Sequence, residues 1–340
     1  MKKSLVALAV LAGFAGAASA QSSVTLFGVI DVAARYTKAN GQDTKQLSND
    51  GSSSSRIGVR GVEDLGGGLK AGFWLESALS ADNGGSGDGT RFWNRRASVS
   101  LMGDFGEVRL GRGKTSTRLV VDDFDVYSTT GLGDVTRVYT TLNSGIDTIN
   151  RADNLVQYFL PSDLGGVYGS FDVAAGEGVD GKKSYGGRLG YKIDDLNVAA
   201  GYQTTDAKGS KFKQLSLGGS YDFKVVKVSA LLSQLKFGSL KQNIYTIGGV
   251  VPVTAAGSVT AQFSKASTNN TADLAANTAG DAKFFTIGYQ HNLSKRTSLY
   301  TTASYIKNDG LAAFRVQTNA VAAARGGKSG GLDVGIKHSF

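Results

Sequence analysis

The strongest constraint on this chain is a period of two that recurs from residue 22 to the C-terminus and nowhere in that stretch gives way to a long apolar run. In "LKAGFWLES", Leu69, Ala71, Phe73 and Leu75 share one face, and Lys70, Gly72, Trp74 and Glu76 share the other. Successive side chains of a strand point to opposite faces, so this is a strand with one greasy side. The same split separates Val167, Phe171 and Val173 from Tyr168, Ser170 and Asp172. It also sets Tyr185, Leu189, Tyr191 and Ile193 against Arg188 and Lys192, and Leu332, Val334 and Ile336 against Asp333 and Lys337. With 47 glycines and only 2 prolines, the composition suits many strands and tight turns, where proline would remove ladder donors.

Period alone does not say which face is inside, and a soluble sandwich would bury the apolar one. Spacing separates the readings. Short breaks such as "EDLGGG", "GDFG", "PSDLGG" and "IDDL" alternate with longer polar ones at 37–53, 81–90, 114–151, 177–183, 267–281 and 308–329. Short turns at one end and long loops at the other is the pattern of an outer-membrane barrel. Sixteen segments are counted, from 22–36 to 330–340, each near the ~9–11 residues that cross a bilayer at a tilt. The fold class expected is therefore all-β: a transmembrane antiparallel up-and-down β-barrel of 16 strands.

The N-terminus agrees. Lys2 and Lys3 precede the apolar "SLVALAVLAGFAGA", and Ala18-Ser19-Ala20 is a cleavage pattern, so residues 1–20 read as a signal peptide and 21–340 as the barrel. Beyond it no run approaches the ~20 apolar residues of a spanning helix. The formal charge of +9 falls to +7 when Lys2 and Lys3 leave with the leader. An exported chain seldom meets nucleic acid, so that charge must be located before it is interpreted. No cysteine is present, so no disulfide framework is available.

Enzyme classes find little support. The two histidines, His291 and His338, form no metal-ligand cluster, and no cofactor, metal or catalytic group is expected. There is no G-x-S-x-G, P-loop or dinucleotide fingerprint. Adjacent carboxylates at Asp122-Asp123 and Asp194-Asp195 read as solvated loop residues.

What remains is an arrangement of charge. In "SRIGVRG" the apolar face takes Ile57 and Val59, so Arg56 and Arg60 take the lumen side. In "RRASVSL" the parity of Ala97, Val99 and Leu101 puts Arg96 with Ser98 and Ser100 on the polar face and leaves Arg95 ambiguous. Arg151 opens the strand after the long 114–151 connection, and Lys70 and Lys307 are candidates to extend the basic lining. That connection begins basic, "GRGKTSTR", and turns acidic, "DDFDVYSTTGLGD"; loops of this length are usually functional. Folded into the barrel, it would set carboxylates against arginines.

The blocks "SSVTLFGVID", "SSRIGVRGVEDLGGGLKAGFWLE", "RRASVSLMGDFGEVRLGR", "YQHNLSKRTSLY" and the terminal "GIKHSF" resemble the general porins of the Gram-negative outer membrane, in particular the anion-preferring trimeric porins of beta-proteobacteria. The resemblance runs from end to end. It implies a homotrimer in the outer membrane whose third loop folds into the lumen as a constriction. Residue by residue, Arg56, Arg95, Arg96 and Arg151 resemble the basic cluster, and Glu76 and Asp125 the opposing acids. Phe340 resembles the C-terminal signal read by the barrel-assembly machinery. Lipid and lipopolysaccharide partners are implied in the same way.

The chain departs from enterobacterial porins, whose inward loop carries Pro-Glu-Phe-Gly-Gly where this one reads "DVYSTTG". It has Asn94 where several relatives have a lysine before the paired arginines. The function expected is passive diffusion of small hydrophilic solutes with a weak anion preference. The alternative is a substrate-specific channel for small organic anions on the same barrel. A secreted adhesin or lectin would share the alternation but would not need a terminal Phe.

Overall fold

A computed structural model describes residues 23–269, 280–317, 321 and 323–340; the expected leader, 1–20, lies outside them. Among the described residues eighteen strands form one sheet. The first nine are β1 (Ser23–Ala39), β2 (Gln42–Asn49), β3 (Arg56–Gly66), β4 (Leu69–Ser80), β5 (Gly85–Ser86), β6 (Arg96–Gly103), β7 (Gly106–Lys114), β8 (Arg151–Phe159) and β9 (Val167–Ala174). Then follow β10 (Ser184–Ile193), β11 (Leu196–Ala207), β12 (Ser210–Asp222), β13 (Lys227–Phe237), β14 (Leu240–Pro252), β15 (Gly257–Thr268), β16 (Ala282–Asn292), β17 (Thr297–Asn308) and β18 (Lys328–Ser339).

All neighbours are antiparallel, and β1 pairs with β18 from Val29↔Ser339 to Ala39↔Ser329, which closes the sheet on itself. The wall has sixteen places. β5 only forms a hairpin with β4, and β2 and β3 share one edge of β1, at its far and near ends respectively.

The segment expected as a long break at 37–53 is thus largely strand. Asn40 and Gly41, with φ of 49° and 76°, make a tight hairpin turn of the kind an Asn-Gly pair favours. The polar β2 carries no apolar alternation because backbone pairing, rather than burial, holds it.

Polarity is inverted relative to a soluble protein. Leu26, Val334 and Ile287 are more than half exposed on the outer face, while Gln157, Gln214, Ser216 and Ser264 are buried facing inward. An exposed apolar band around a polar interior is the signature of a wall that faces lipid. Phe340 continues the last ladder: its N–H donates to the Gly28 carbonyl and its carbonyl accepts from the Gly28 N–H, both at 3.1 Å.

The connection from Lys114 to Arg151 lies inside the barrel. It carries helix α1 (Ser116–Phe124) and two short 3-10 turns, Gly131–Gly133 and Val135–Val138. Val120, Val121, Phe124, Leu132, Val135, Val138 and Leu142 form a buried cluster with the inward Phe212, Leu235, Ile244, Phe284 and Ile306. One side of the inner wall is therefore apolar and covered by the loop. The ring of Phe124 packs so closely on Gly218 that a Cβ there would lie 2.0 Å from it. Polar bolts complete the docking: Thr117 Oγ1 donates to Gln203 Oε1 (2.7 Å), Gln242 Nε2 to the Val138 carbonyl (2.9 Å) and Gln262 Nε2 to the Gly133 carbonyl (3.1 Å).

Candidate functional site

Packing the loop against the inner face of β9–β17 leaves the inner wall of β3–β8 bare, and most of the arginines are there. A cavity of about 780 Å³ lies between that wall and α1. Among the described residues nine cationic side chains line it, Arg56, Arg60, Arg95, Arg96, Arg109, Arg118, Arg151, Lys114 and Lys337, with Glu76 the single lining carboxylate. The hydroxyl-rich floor comes from Ser52, Ser53 and Ser54. These belong to a short inward excursion between β2 and β3 whose backbone is pinned by the buried Asp31. The Asp31 carboxylate accepts N–H groups from Gly51 (3.2 Å), Ser52 (3.0 Å) and Ser53 (2.7 Å) and the Tyr300 hydroxyl.

Strand register sets the arginines in steps. Arg56 pairs with Ala78, two residues beyond Glu76; Arg96 pairs with Glu76; Arg60 pairs with Trp74; and Arg109 pairs with Ser100, whose other neighbour is Gly72. From Arg96 onward each step toward the short-turn end is two residues, about 7 Å. Trp74 backs the middle of this series: Arg96 and Arg60 lie over its ring at 4.5 and 4.9 Å, and Arg60 also covers Phe27 at 5.3 Å. Such contacts hold a guanidinium in place while leaving its charge available.

Arg95 and Arg96 both reach the cavity although they are adjacent. Arg95 precedes β6 and is tied to the wall by its backbone N–H, which donates to the Glu76 carbonyl, so strand alternation does not govern it. Its Nε donates to Glu76 Oε1 at 2.5 Å, Arg56 Nε lies 3.8 Å from the same oxygen, and Trp74 Nε1 donates to Glu76 Oε2 at 3.0 Å. Glu76 is thereby committed to two cations. Arg151 Nε donates to the Arg95 carbonyl (2.9 Å) and Arg96 Nε to Ser98 Oγ (2.9 Å).

The loop's carboxylate at this site is Asp122. It accepts from Lys114 Nζ at 2.5 Å and from Arg118 Nε at 2.8 Å. Burial works against its charge, but Arg118, Lys114 and the Thr129 hydroxyl outweigh burial and hold its carboxyl below the usual range.

Asp125, expected as an opposing acid, does not line the cavity. It is buried inside the loop, where its carboxylate accepts N–H groups from Tyr127 (3.1 Å), Thr129 (2.9 Å) and Val135 (3.1 Å). Burial, then the nearby Asp134, push its carboxyl up to about 7 against those three donors.

Lys307 is placed elsewhere as well. It shares the outer face with the exposed Tyr305, while Thr302, Ser304, Ile306 and Asn308 take the inner one. Lys70 has the inward parity of Trp74 and Glu76 but is exposed beside the β3–β4 turn, outside the cavity.

Arg109, Lys114, Arg118 and Lys337 stand outside the cluster expected from the sequence. The signal for Lys337 was its parity opposite Ile336, and Arg109 followed from its register with Ser100. Arg118 had none, because only the docking of α1 aims it at the wall.

Residues 7–311 match the family model described as Gram-negative porin. The chain is 39% identical to outer membrane porin protein 32 of Delftia acidovorans and 31% identical to an outer membrane porin protein of Bordetella pertussis, each over the full length of both chains. Its fold superposes on the structure of an anion-selective porin from Comamonas acidovorans with a TM-score of 0.83 and 35% identity, covering 94% of this chain and 100% of that one. A lipid-facing wall closed by sixteen strands around a loop-narrowed lumen, together with these relatives, establishes that the chain belongs to the Gram-negative porin family and resides in the outer membrane.

Proposed function

We propose that the lumen passes small hydrophilic solutes and ions passively, with a weak anion preference set by the arginine-lined cavity. The observation that carries this reading is the excess of nine lining cations over the three carboxylates paired with them, Glu76 on the wall, Asp122 on the loop and Glu107 beside Arg109. A fixed positive potential in a narrow water path walled by low dielectric concentrates anions and raises the barrier for cations. Several stepped sites, each of modest strength, let an ion move from one to the next, whereas one tight site would block conduction. The anion-selective relative in Comamonas acidovorans supports the same sign.

Reversal potential across a planar bilayer under a KCl gradient tests the proposal. Wild type should give an anion-signed potential, and Arg56→Ala/Arg96→Ala/Arg151→Ala should collapse or reverse it. An unchanged potential would mean that the arginines brace the loop and selectivity lies elsewhere. Because arginine keeps its charge at any relevant pH, the preference should persist from mild acid to mild base; it should weaken as salt rises and screens the lining.

The active assembly is a homotrimer of mature chains beginning at Gln21. No lysine takes an outward position on β3–β9 among the described residues, which leaves an apolar flank for packing against identical copies. Sedimentation in detergent and N-terminal sequencing test these two points.

A further inference from the structure

A second cavity, of about 320 Å³, adjoins the arginine-lined one on its long-loop side, where Ser80 ends β4 and Ser48 approaches the end of β2. The two cavities share Ser54, Thr129 and Thr130, so these hydroxyl side chains form the border between them.

The uncompensated charge of the outer cavity is negative. Among the described residues its charged lining is Arg35, Arg137, Asp50 and Asp82. Both arginines are engaged: Arg35 makes two hydrogen bonds of 2.6 Å to Asp333, and Arg137 Nε lies 3.9 Å from Asp134 Oδ2. Asp50 and Asp82 form no ion pair with any described residue. Burial pushes the Asp50 carboxyl up, and the Ser55 N–H, donated at 2.6 Å, and the charge of Arg95 only partly offset it. Asp50 attracts Arg56 and Arg95 without touching either. A gap therefore separates an under-compensated acid from the cations beneath it.

An independent observation at the same cavity points to a ligand that donates hydrogen bonds. Gln317 lines it and is only 7% exposed, and its Oε1 has no donor among the described residues. A buried acceptor without a partner is costly, and a ligand bearing N–H groups relieves that cost.

We propose that the outer cavity binds the ammonium group of a small zwitterion, with the chemistry of an amino acid or short peptide, whose carboxylate reaches past Ser54 to Arg56 and Arg95. A simple anion gains only the inner half of this site and is repelled by Asp50 and Asp82; a simple cation gains only the outer half and meets the arginines. One molecule carrying both charges satisfies both. The proposal rests on the passive-uptake reading above and names a class of solute for it.

The test reads interruption of single-channel KCl current by glycylglycine, N-acetylglycylglycine and glycylglycine amide, a zwitterion, an anion and a cation on one backbone. It is run at pH 6.5, where an α-amino group of pKa about 7.7–8.0 is protonated. Glycylglycine should bind at least fivefold more tightly than either other probe. Asp50→Asn/Asp82→Asn, which keeps an acceptor for the Ser55 N–H, should weaken glycylglycine fivefold or more and tighten the N-acetyl peptide. Gln317→Leu should weaken glycylglycine more than the N-acetyl peptide. Asp163→Asn/Asp194→Asn, an equal loss of charge at the short-turn end, should bind all three as wild type does.

The proposal is overturned by an N-acetyl peptide that binds wild type as tightly as glycylglycine, by unchanged glycylglycine binding in Asp50→Asn/Asp82→Asn, or by an equal loss in the short-turn variant. Heat-dependent gel mobility checks the folding of each variant. The KCl reversal potential of the same wild-type channels separates the two readings. An anion-signed potential with no preference for glycylglycine sinks this proposal alone, whereas a cation-signed potential sinks the selectivity reading.

Discussion

Among single residues, Glu76 and Asp125 differ most from what a carboxylate in a cation-rich lumen would be expected to do. Glu76 is the one acid among the described residues of the cavity wall, held between Arg95 and Arg56. Replacing it by Gln removes a unit charge from the cavity wall; at about 4 Å in water such a charge is worth about 1 kcal/mol to an anion and the same with opposite sign to a cation, so the anion-to-cation permeability ratio should rise by up to about thirtyfold at low salt. A reversal-potential measurement on Glu76→Gln reads this directly, and no change would mean that Arg95 relocates to compensate.

Asp125 acts inside the loop. Its folded carboxyl, pushed to about 7 from an ordinary 3.8, keeps its proton over that interval while the unfolded chain has lost it. The folded state then binds more protons, so stability falls as pH rises from 3.8 toward 7. The thermal midpoint of wild type should drop over this window more than that of Asp125→Asn, and parallel curves would refute the assignment. Parity could reveal Arg56, Arg60 and Arg96 but not Asp125, whose direction is fixed by N–H groups on residues that only the folded loop brings to it.

At the scale of elements, strands were legible and the loop was not. The wall strands follow the alternation closely because each must cross lipid with one apolar face. Near the long-loop end the rule flips: Lys211 and Lys213 point out while Phe212 points in, and Lys283 points out while Phe284 points in. The inward apolar residues exist to receive the loop, and the outward lysines stand above the hydrocarbon. Lys307 follows the same flip, which is why reading it as lumenal from its charge misplaces it.

Helix α1 has no side-chain cap from Thr115. Its first turn is instead held from the wall, where Asp172 Oδ1 accepts the Ser116 N–H at 2.7 Å. Its other anchor is Phe124, and truncation of a buried Phe costs about 3–5 kcal/mol. Phe124→Ala should therefore loosen the loop and leave the barrel intact, seen as larger and noisier single-channel conductance with unchanged heat-dependent gel mobility. Conductance identical to wild type would mean that the glutamine bolts suffice.

For the whole molecule the decisive event is closure of β1 on β18. Arg35 and Asp333 span that seam with two hydrogen bonds of 2.6 Å, both side chains buried in the lumen. Removing one partner strands a buried charge, at a cost of about 3–5 kcal/mol. Asp333→Ala should lower the unfolding temperature markedly, and Arg35→Met/Asp333→Leu should restore much of it. If the single variant unfolds as wild type does, water in the lumen already solvates the pair.

By itself the sequence determined the barrel, its strand number and the inward face of most wall arginines, because a period of two is a local property that lipid on one side enforces everywhere. Only the tertiary structure decided that the loop covers one half of the lumen, that Asp122 rather than Asp125 meets the cations, and that Asp50 and Asp82 share a second cavity beside them. Those outcomes depend on strand register and loop docking, which bring together residues that no local pattern relates.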